Sequence, residues 1–380
     1  MKVCRVVTVP FFLQNHLREQ IRATVRAGHD VTLVCSDGPE VAALRRLEGV
    51  RVHVIEIPRK ISPVRDAAAL FRITAFFHRE RFDAVHSATP KAGLLGAVAG
   101  WLARVPVRLH TFTGQPWVER TGLVRLLAKS ADWITARMTT RCYADSASQR
   151  DFLVAQKVVR AGCIHTLGSG SIAGVDLQRF DRARWSGQKA AVCAELGLSA
   201  GVKIVTFIGR LTRDKGVLEL LAAARALQKR GSPAVFLLIG PVESEGDDEV
   251  DHALASAASN VRRLGYRAEP ERYLAASELL CLPSYREGFP IVVIEAAAMG
   301  VPTIGTDIVG LNDSVVDGRT GVLVPAKNMQ ALEHALLQLL TDDEQRRALG
   351  EAARRRVAME FDAEIVNRLV IAEYGVDPGA

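Results

Sequence analysis

The sequence predicts an α/β protein built from two doubly wound parallel sheets. Short runs rich in β-branched residues alternate with longer amphipathic stretches from one end of the 380-residue chain to the other. This alternation is typical of parallel strands that helices cover on both faces. At about 100–200 residues per domain, the length fits two or three such domains. The composition is close to the globular average, which excludes disordered, collagen-like and coiled-coil chains.

A glycine- and serine-rich segment, residues 168–176, interrupts this rhythm and indicates a hinge. We therefore expect two Rossmann-like domains, residues 1–172 and 173–360, with a C-terminal helix of about 361–380 that packs back on the first domain. The two domains should face each other across a cleft, because doubly wound sheets bind ligands outside the carboxyl ends of their strands.

The elements follow from hydrophobic periodicity. In the first half the predicted strands are 3–9, 31–34, 52–57, 84–87, 107–110 and 142–144, and the predicted helices are 16–27, 66–79, 91–103 and 123–139. In the second half the predicted strands are 203–208, 234–239, 261–264, 279–282, 302–305 and 321–324. The helices between them are 216–228, 248–257, 270–275, 291–299 and 329–340, and the tail from about residue 341 is helical and charged.

Charge is unevenly distributed along the chain. Residues 1–175 carry 25 Lys/Arg and 13 Asp/Glu, whereas residues 176–380 carry 24 and 29, and the whole chain has a net charge of +7. A basic first half suggests an anionic partner such as nucleic acid, a membrane surface or a phosphorylated substrate. A solvated basic surface that maintains solubility is the simpler alternative. No nucleic-acid recognition motif accompanies the basic half, so we expect no nucleic-acid partner.

Cysteines and targeting signals indicate a reducing compartment. The six cysteines are scattered without a Cys-x-x-Cys pair or metal-ligand spacing, so we expect no metal site. The N-terminal apolar run contains Arg5, which is typical of a first strand and unlike a signal peptide. The longest uncharged apolar runs are shorter than the roughly 18–20 residues of a spanning helix. Any membrane contact is therefore expected to be peripheral.

The strongest local signal lies between the strand 279–282 and the helix that follows it. Here Glu287, Gly288, Phe289, Pro290 and Ile291 lead into a helix that contains Glu295. Proline suits a first helical turn, where the following free N–H groups form an anion site. Glu287 and Glu295 are eight residues apart and can accept hydrogen bonds from the same ligand. Taken alone, Glu287 is equally consistent with an ordinary acid near the helix N-cap, and Glu295 with a solvated helix position.

A second signal follows the strand 203–208. Arg210 and Lys215 bracket the turn before the next helix, at the carboxyl end of a strand. Arginine can bind phosphate oxygens in a bidentate manner and lysine acts as a point charge. Two solvated basic loop residues are the ordinary structural alternative.

Two histidines end strands of the first domain. His110, followed by Thr111, is expected to point into the cleft, where its ring can donate or accept a hydrogen bond near neutral pH. His86 ends the preceding strand, and we expect it to support the site or to lie on the acceptor side. Histidines at such positions more commonly have a structural role, buried and with their hydrogen bonds satisfied.

Several enzyme classes are excluded by spacing. The chain lacks Gly-x(4)-Gly-Lys-Ser/Thr, so a P-loop nucleotidase is not expected. Residues 168–174 read Gly-x-Gly-x(3)-Gly, which does not support a nicotinamide enzyme. The chain also lacks a Gly-x-Ser-x-Gly elbow, so a hydrolase is not expected.

Together these motifs resemble glycosyltransferase family 4, the retaining enzymes with the GT-B fold. Arg210 and Lys215 match the family's Gly-Arg-x(4)-Lys-Gly, and Glu287 and Glu295 match its Glu-x(7)-Glu. The similarity is continuous over residues 203–325 and looser in the first half. There, the segments Thr89–Gly93 and His110–Gly114 are similar to the subgroup that builds lipid-linked oligosaccharides and surface polysaccharides in bacteria. The Asp-x-Asp metal motif of the other large glycosyltransferase architecture is absent.

The resemblance implies a role for each motif. Arg210 and Lys215 would hold the diphosphate of a UDP-sugar without a metal, aided by the amides after Gly288. Glu295 would bind the ribose and Glu287 the donor sugar, above a loop shaped by Phe289, Pro290 and Ile291. The base would lie against Gly265, Tyr266 and Arg267. His110 would contact the donor sugar from the first domain, and His86, Lys91 and Thr111 would lie on the acceptor side.

One segment departs from the family pattern. Many members have paired glycines in the loop after the first strand, whereas residues 9–16 here contain none. We therefore expect no backbone contacts to substrate from this loop. Its aromatic residues, Phe11 and Phe12, are expected to form core or cleft wall, with a lipid-facing role as the alternative.

The sequence therefore predicts a retaining, metal-independent glycosyltransferase with no cofactor. It would move a hexose or N-acetylhexosamine from a UDP-sugar to a lipid-diphosphate-linked saccharide or polysaccharide acceptor in the synthesis of lipopolysaccharide, O-antigen, capsule or a glycoprotein glycan. We expect a cytoplasmic protein on the anionic inner face of the cytoplasmic membrane. The alternatives are another GT-B nucleotide-sugar enzyme, such as a UDP-N-acetylhexosamine 2-epimerase, and a non-catalytic nucleotide-sugar-binding subunit.

Overall fold

The chain folds into two α/β units. The computed structural model describes residues 1–199, 201–243 and 247–375. The first unit comprises Met1–Gly174 together with the described residues from Ala363 onward, and the second unit comprises Val175–Asp362. Each unit contains one sheet of parallel strands, of seven strands in the first and six in the second.

The sheet of the first unit has the order β3-β2-β1-β4-β5-β6-β7. Its strands are β1 (Lys2–Val6), β2 (Asp30–Cys35), β3 (Val50–Val54), β4 (Ala84–Ala88), β5 (Val107–Phe112), β6 (Arg141–Ala144) and β7 (Ile164–Thr166). The winding direction reverses between β1 and β4, which makes the carboxyl ends of these two strands the expected place for a ligand.

Seven helices connect these strands. They are α1 (Pro10–Asn15), α2 (Arg18–Arg26), α3 (Val41–Leu44), α4 (Pro63–Glu80), α5 (Pro90–Leu102), α6 (Gly122–Met138) and α7 (Ala147–Ala155). A 3₁₀ turn, Pro116–Glu119, precedes α6. Helix α5 packs between α4 and α6 on one face of the sheet. All three helices begin at the carboxyl edge of the sheet, because each follows the end of a parallel strand.

The sheet of the second unit has the order β10-β9-β8-β11-β12-β13. Its strands are β8 (Lys203–Ile208), β9 (Ala234–Ile239), β10 (Val261–Gly265), β11 (Leu279–Leu282), β12 (Thr303–Thr306) and β13 (Gly321–Val324). The winding direction reverses between β8 and β11, so the loops after these strands flank the expected ligand position of this unit.

In the second unit, the described residues 175–199, 201–243 and 247–362 form eight helices. They are α8 (Gln188–Glu195), α9 (Val217–Lys229), α10 (Asp248–Ala255), α11 (Pro270–Ala276), α12 (Ile291–Ala298), α13 (Leu311–Ser314), α14 (Met329–Thr341) and α15 (Asp343–Glu360). A 3₁₀ turn, Arg213–Lys215, precedes α9. Within the described ranges, no helix has both the length and the apolar character needed to cross a membrane.

The last helix, α16 (Ala363–Ala372), returns to the first unit and packs against α2. Beyond it, the ring of Tyr374 is fully buried against β1 and β4 residues. Its hydroxyl lies 2.8 Å from Nη1 of Arg5, an arginine that is itself buried in β1. The C-terminal segment thus completes the core of the first unit.

The structure differs from the sequence prediction mainly in short elements. Four strands of the second unit have the predicted bounds, because each is an apolar run between clear turn signals. By contrast, residues 10–15 form the helix α1 where a loop was expected, with Pro10 at its first turn. Phe11 is exposed on this helix and Phe12 is half-buried. The three-residue strand β7 is absent from the sequence prediction, since so short a run has no readable period.

A close approach at Gly216 joins the two loops that flank the reversal point of the second unit. Gly216 has a φ of 70° and precedes α9, and a Cβ built on it would lie 2.0 Å from the carbonyl oxygen of Pro283. The loop after β11 therefore packs directly on the backbone of the loop after β8. Only glycine combines this φ with this contact at no steric cost.

We expect Gly216→Ala to lower the free energy of unfolding by at least about 2 kcal/mol, because left-handed strain adds to the clash with Pro283. Gly231 provides a matched control after the other end of α9, with a φ of 71° and nothing within 4 Å of an added Cβ. Gly231→Ala should cost only the strain of its φ, about 1 kcal/mol. Urea unfolding of both variants measures the difference, and equal losses would contradict the importance of the Pro283 contact.

Candidate active site

The central contact of the candidate site joins the loops after β8 and β11. Nζ of Lys215 lies 2.6 Å from Oε1 of Glu287, and the hydroxyl of Ser284 donates to the same oxygen at 2.7 Å. Both side chains of the ion pair are largely shielded from water. The two motifs that the sequence singled out are therefore brought together at the reversal point of the second sheet.

Asp214 organises the cations around this contact. Its carboxylate accepts hydrogen bonds from Thr212 at 2.5 Å and from Arg286 at 3.3 Å, and Arg210 lies 3.9 Å away. Burial acts to raise the pKa of Asp214, but the Thr212 hydrogen bond and the positive charges of Arg210, Lys215 and Arg286 outweigh it, and the pKa lies below its ordinary value. An ionised Asp214 thus holds arginines beside the Lys215 loop.

Arg210 is half-exposed and ends beside two carboxylates. Besides Asp214, its guanidinium lies 3.4 Å from Oε2 of Glu243. Partly exposed ion pairs of this kind contribute little to stability, about 0–1 kcal/mol. The guanidinium can therefore exchange these partners for a phosphate at small cost.

Glu295 lies on α12, partly shielded from water. Burial raises its pKa to about 7, the positive charge of Arg179 opposes this shift, and the negative charge of Glu271 adds to it. Arg179 donates to both oxygens of Glu271, at 3.1 and 2.9 Å, so much of its charge is already neutralised. Glu295 is consequently close to the midpoint of its titration at neutral pH.

The loop before α12 is held by its aromatic residue. The ring of Phe289 is buried against Phe361, with ring centroids 5.2 Å apart. Pro290 is the N-cap of α12, one position before the helical turn that the sequence predicted, and the helix begins at Ile291. Gly310 packs closely on Gly288, since a Cβ added to Gly310 would lie 1.7 Å from the Gly288 carbonyl oxygen. This packing holds the start of α12 at the strand end.

Gly265, Tyr266 and Arg267 follow β10, two strands away from β8. Gly265 has a φ of 66°, and the ring of Tyr266 is exposed. Arg267 donates through Nε to the hydroxyl of Tyr273 at 3.1 Å. This turn leaves an exposed aromatic ring at the same sheet edge as the ion pair.

In the first unit, His110 is buried at the end of β5. Its Nδ1 lies 2.9 Å from Oγ of Ser87, and a Cβ at Gly93 would lie 2.4 Å from its Cε1. The glycine of the Thr89–Gly93 segment thus makes room for the histidine of the second segment. Burial lowers the pKa of His110 to about 3, and a hydrogen bond with the backbone of Ser87 opposes the shift. The ring is therefore neutral at physiological pH, where one nitrogen can donate and the other can accept a hydrogen bond.

His86 lies deeper in the same unit. Its Nδ1 is 3.2 Å from both Arg5 and the hydroxyl of Tyr374, and its Nε2 is 2.8 Å from Oγ1 of Thr111. Burial, and then the charge of Arg5, lower its pKa well below the ordinary value. Both ring nitrogens are therefore engaged inside the unit, and His86 can influence a ligand only through Thr111.

Lys91 begins α5 and is tied to α4. Its Nζ lies 2.8 Å from Oδ1 of Asp66 and 2.5 Å from the carbonyl oxygen of Lys60. The side chain holds the starts of two neighbouring helices together at the carboxyl edge.

Four side chains that the sequence analysis did not single out contact this region of the second unit: Arg179, Asp214, Glu271 and Ser284. Asp214 and Ser284 lie within or beside the recognised motifs, and their polar character at strand ends was a usable signal. Arg179 and Glu271 are distant in sequence from Glu295 and only the fold reveals them. Among the residues that the structure describes, no group of three or more His, Cys, Asp or Glu side chains forms a metal site.

We expect Glu295→Gln to change the pH dependence of stability. The carboxyl keeps its proton in the folded protein up to about pH 7, whereas the unfolded chain loses it near the ordinary value of 4.5. Stability of the wild type therefore falls as pH rises through this window, by up to about 3 kcal/mol. Glutamine does not titrate and removes this loss. The free energy of unfolding of the variant should therefore rise relative to that of the wild type between pH 5 and pH 8.

Urea unfolding of the ligand-free proteins at both pH values measures this gain. Glu344→Gln, at an exposed position in the first turn of α15, is the control and should keep the wild-type dependence. If the free energy of unfolding depended on pH in the same way for Glu295→Gln and wild type, Glu295 would be ionised over the whole range from pH 5 to pH 8.

Two family models match most of the chain. Residues 13–170 match the glycosyl transferase 4-like domain, and residues 191–356 match glycosyl transferases group 1. The first covers most of the first unit, and the second covers the loops that contain the Lys215–Glu287 contact.

Similar proteins cover almost the whole chain. It is 29% identical over 366 residues to the capsular polysaccharide biosynthesis glycosyltransferase CapM of Staphylococcus aureus, covering 96% of this chain and 94% of the relative. It is 27% identical over 377 residues to the UDP-Gal:alpha-D-GlcNAc-diphosphoundecaprenol alpha-1,3-galactosyltransferase of Escherichia coli, covering 97% and 95%. An alpha-maltose-1-phosphate synthase of Mycolicibacterium smegmatis is 30% identical over 369 residues, covering 84% and 89%.

Solved structures share the fold. HepE from Anabaena, crystallised with UDP and glucose, superposes with a TM-score of 0.82 at 19% identity, covering 97% of this chain and 98% of that one. WaaG, a glycosyltransferase involved in lipopolysaccharide biosynthesis, superposes with a TM-score of 0.74 at 16% identity, covering 99% and 100%. The sheet orders, the site motifs and these similarities agree: the chain is a glycosyltransferase of family 4 with the GT-B fold.

Proposed function

We propose that this enzyme transfers a hexose or N-acetylhexosamine from a UDP-sugar to a lipid-diphosphate-linked saccharide or polysaccharide acceptor in bacterial glycan synthesis. The observation that carries the proposal is the Lys215–Glu287 contact at the carboxyl ends of β8 and β11. It places a cation for phosphate and a carboxylate for hydroxyl groups side by side, where doubly wound sheets bind nucleotides.

The donor is proposed to bind the second unit. Arg210 and Lys215 bind the diphosphate, and the N–H groups at the start of α12 add partial positive charge. Oε1 of Glu287 is already occupied by Lys215 and Ser284, so Oε2 accepts hydrogen bonds from the donor sugar. Glu295 accepts from the ribose hydroxyls, and the exposed ring of Tyr266, with Gly265 and Arg267, lies against the base.

Catalysis is proposed to depend on charge stabilisation. The bond between the anomeric carbon and the diphosphate oxygen breaks, a bond to the acceptor hydroxyl forms on the same face, and the hydroxyl proton passes to the departing diphosphate. Negative charge grows on the diphosphate as its bond breaks, so Arg210 and Lys215 bind the transition state more tightly than the substrate. These cations supply the positive charge that a metal ion supplies elsewhere, and we propose a metal-independent reaction.

The acceptor is proposed to bind the first unit. Beside it, His110 contributes a neutral ring held through Nδ1 by Ser87, which leaves Nε2 for a hydroxyl of the donor sugar. Thr111 and Lys91 lie at the carboxyl edge of the same sheet, and His86 positions Thr111 from below. The names of two relatives support a bacterial surface glycan and a diphosphate-linked lipid as acceptor chemistry. We propose that the enzyme works at the inner face of the cytoplasmic membrane.

Lys215→Ala should weaken UDP binding about 10–100-fold, since one charge-assisted contact to phosphate contributes about 1.5–3 kcal/mol. Lys229→Ala, at the exposed end of α9, is the matched control and should bind like wild type. Isothermal titration with UDP measures both, and equal affinities for wild type and Lys215→Ala would overturn the assignment of the diphosphate site.

Glu287→Ala should lower kcat about 10²–10³-fold, because its carboxylate contacts the donor sugar and also holds Lys215 through the 2.6 Å ion pair. The assay follows UDP release from UDP-galactose, UDP-glucose or UDP-N-acetylglucosamine with diphosphate-lipid-linked N-acetylglucosamine as acceptor, with and without EDTA. Unchanged turnover in Glu287→Ala would contradict its role. Conversion of UDP-N-acetylglucosamine without acceptor would identify an epimerase instead, and UDP binding without turnover a non-catalytic subunit.

A further inference from the structure

The start of α6 exposes a cluster of apolar side chains to solvent. Residues 121–127 are exposed without exception, and they include Leu123, Val124, Leu126 and Leu127. Leu123 is 68% exposed and Leu126 is 60% exposed. An ordinary surface helix buries its apolar stripe against the core and presents polar residues to water. The first turns of α6 instead expose their apolar residues, and no described neighbour covers them.

A second exposed apolar group lies at the start of α4. Ile61 and Val64 are 68% and 83% exposed. Helices α4 and α6 flank α5 on the same face of the sheet, and all three begin at the carboxyl edge. Lys91 at the start of α5 bonds to Asp66 and Lys60 at the start of α4, which holds these helix starts together. We call the six residues that share this edge the apolar rim: Ile61, Val64, Leu123, Val124, Leu126 and Leu127.

Basic residues surround the apolar rim. Arg59, Lys60 and Arg65 flank Ile61 and Val64, and Arg120 and Arg125 flank the α6 leucines, all at exposed positions. The exposed acidic residues in the same two stretches are Glu56 and Glu119. Apolar tips within a basic border match the chemistry of an anionic bilayer, where alkyl side chains enter the hydrocarbon boundary and cations contact the headgroups. A second copy of the chain would place this excess positive charge against itself.

We propose that the apolar rim is a membrane-docking surface that inserts the starts of α4 and α6 into an anionic lipid bilayer. Thr111, Lys91 and the end of β5 lie at the same carboxyl edge, so docking brings that edge to the lipid headgroups. The idea that docking brings the enzyme to a lipid-linked acceptor rests on the proposed function. The docking itself does not depend on it. The surface would supply what a spanning helix supplies elsewhere, a fixed depth and orientation at the headgroup layer.

Vesicle flotation of the full chain tests the surface. Wild type should float with vesicles of equal parts phosphatidylcholine and phosphatidylglycerol, and less with phosphatidylcholine alone. Leu123→Glu/Leu127→Glu should lower the partition coefficient on the order of 100-fold, because two leucines no longer enter the lipid. Arg120→Gln/Arg125→Gln should lower it about 30-fold on mixed vesicles only, from about 1 kcal/mol per basic residue.

A matched control lies in the second unit. Met359 is 68% exposed, as Leu123 is, and Met359→Glu should float like wild type. UDP affinity should be unchanged in Leu123→Glu/Leu127→Glu, whereas Lys215→Ala should lose UDP affinity and float normally. Because each variant should lose one property and keep the other, the pair separates a failure of docking from a failure of the donor site.

Three results would overturn the proposal. The first is absence of wild-type flotation on mixed vesicles, and the second is normal flotation of Leu123→Glu/Leu127→Glu. The third is a concentration-dependent dimer that the leucine substitutions abolish while flotation is absent, which would make a second copy the occupant of the apolar rim.

Discussion

The ion pair between Lys215 and Glu287 is the contact on which the organisation of the second unit depends. It exists because two parallel strands, β8 and β11, end side by side where the winding of the sheet reverses. In either loop alone, water would solvate the charge of Lys215 or of Glu287. The backbone packing of Gly216 on Pro283 brings the loops close enough for the charges to meet, and their mutual shielding strengthens the contact.

Around this pair the polar residues form two groups with different electrostatic states. Near β8, Asp214 is ionised and surrounded by cations, so the region is prepared for an anion. On α12, the negative charge of an ionised Glu295 is poorly neutralised, because Arg179 already pairs with Glu271. A ligand hydroxyl that donates to Glu295 would stabilise its ionised form. This part of the second unit therefore has positive charge at one end and a carboxyl of adjustable protonation at the other.

The sequence predicted the second unit more accurately than the first for physical reasons. Strands such as 203–208 and 279–282 are covered on both faces, so their apolar runs end sharply at glycine or proline. Residues 10–15 lack glycine and were expected to be a loop, yet Pro10 starts a helix there. The motif residues were recognisable because their spacing after two predicted strands matches the motifs of the family. Arg179 was not, since its approach to Glu271 depends on chain segments 92 residues apart.

Protonation states lay beyond sequence reasoning as well. The close packing of Gly93 removes water from the ring of His110 and keeps it neutral. His86 is surrounded in the same way by Arg5, Tyr374 and Thr111. Burial depends on three-dimensional packing, and no local pattern around either histidine reveals it.

The return of α16 to the first unit has a consequence for how the protein is made. Arg5, in the first strand, bonds to the hydroxyl of Tyr374, which the ribosome adds only after the whole second unit has been synthesised. Until then the buried guanidinium of Arg5 lacks this partner and the face of β1 lacks its last cover. The second unit is continuous in sequence and can fold during translation, whereas the first unit, although synthesised first, is completed last.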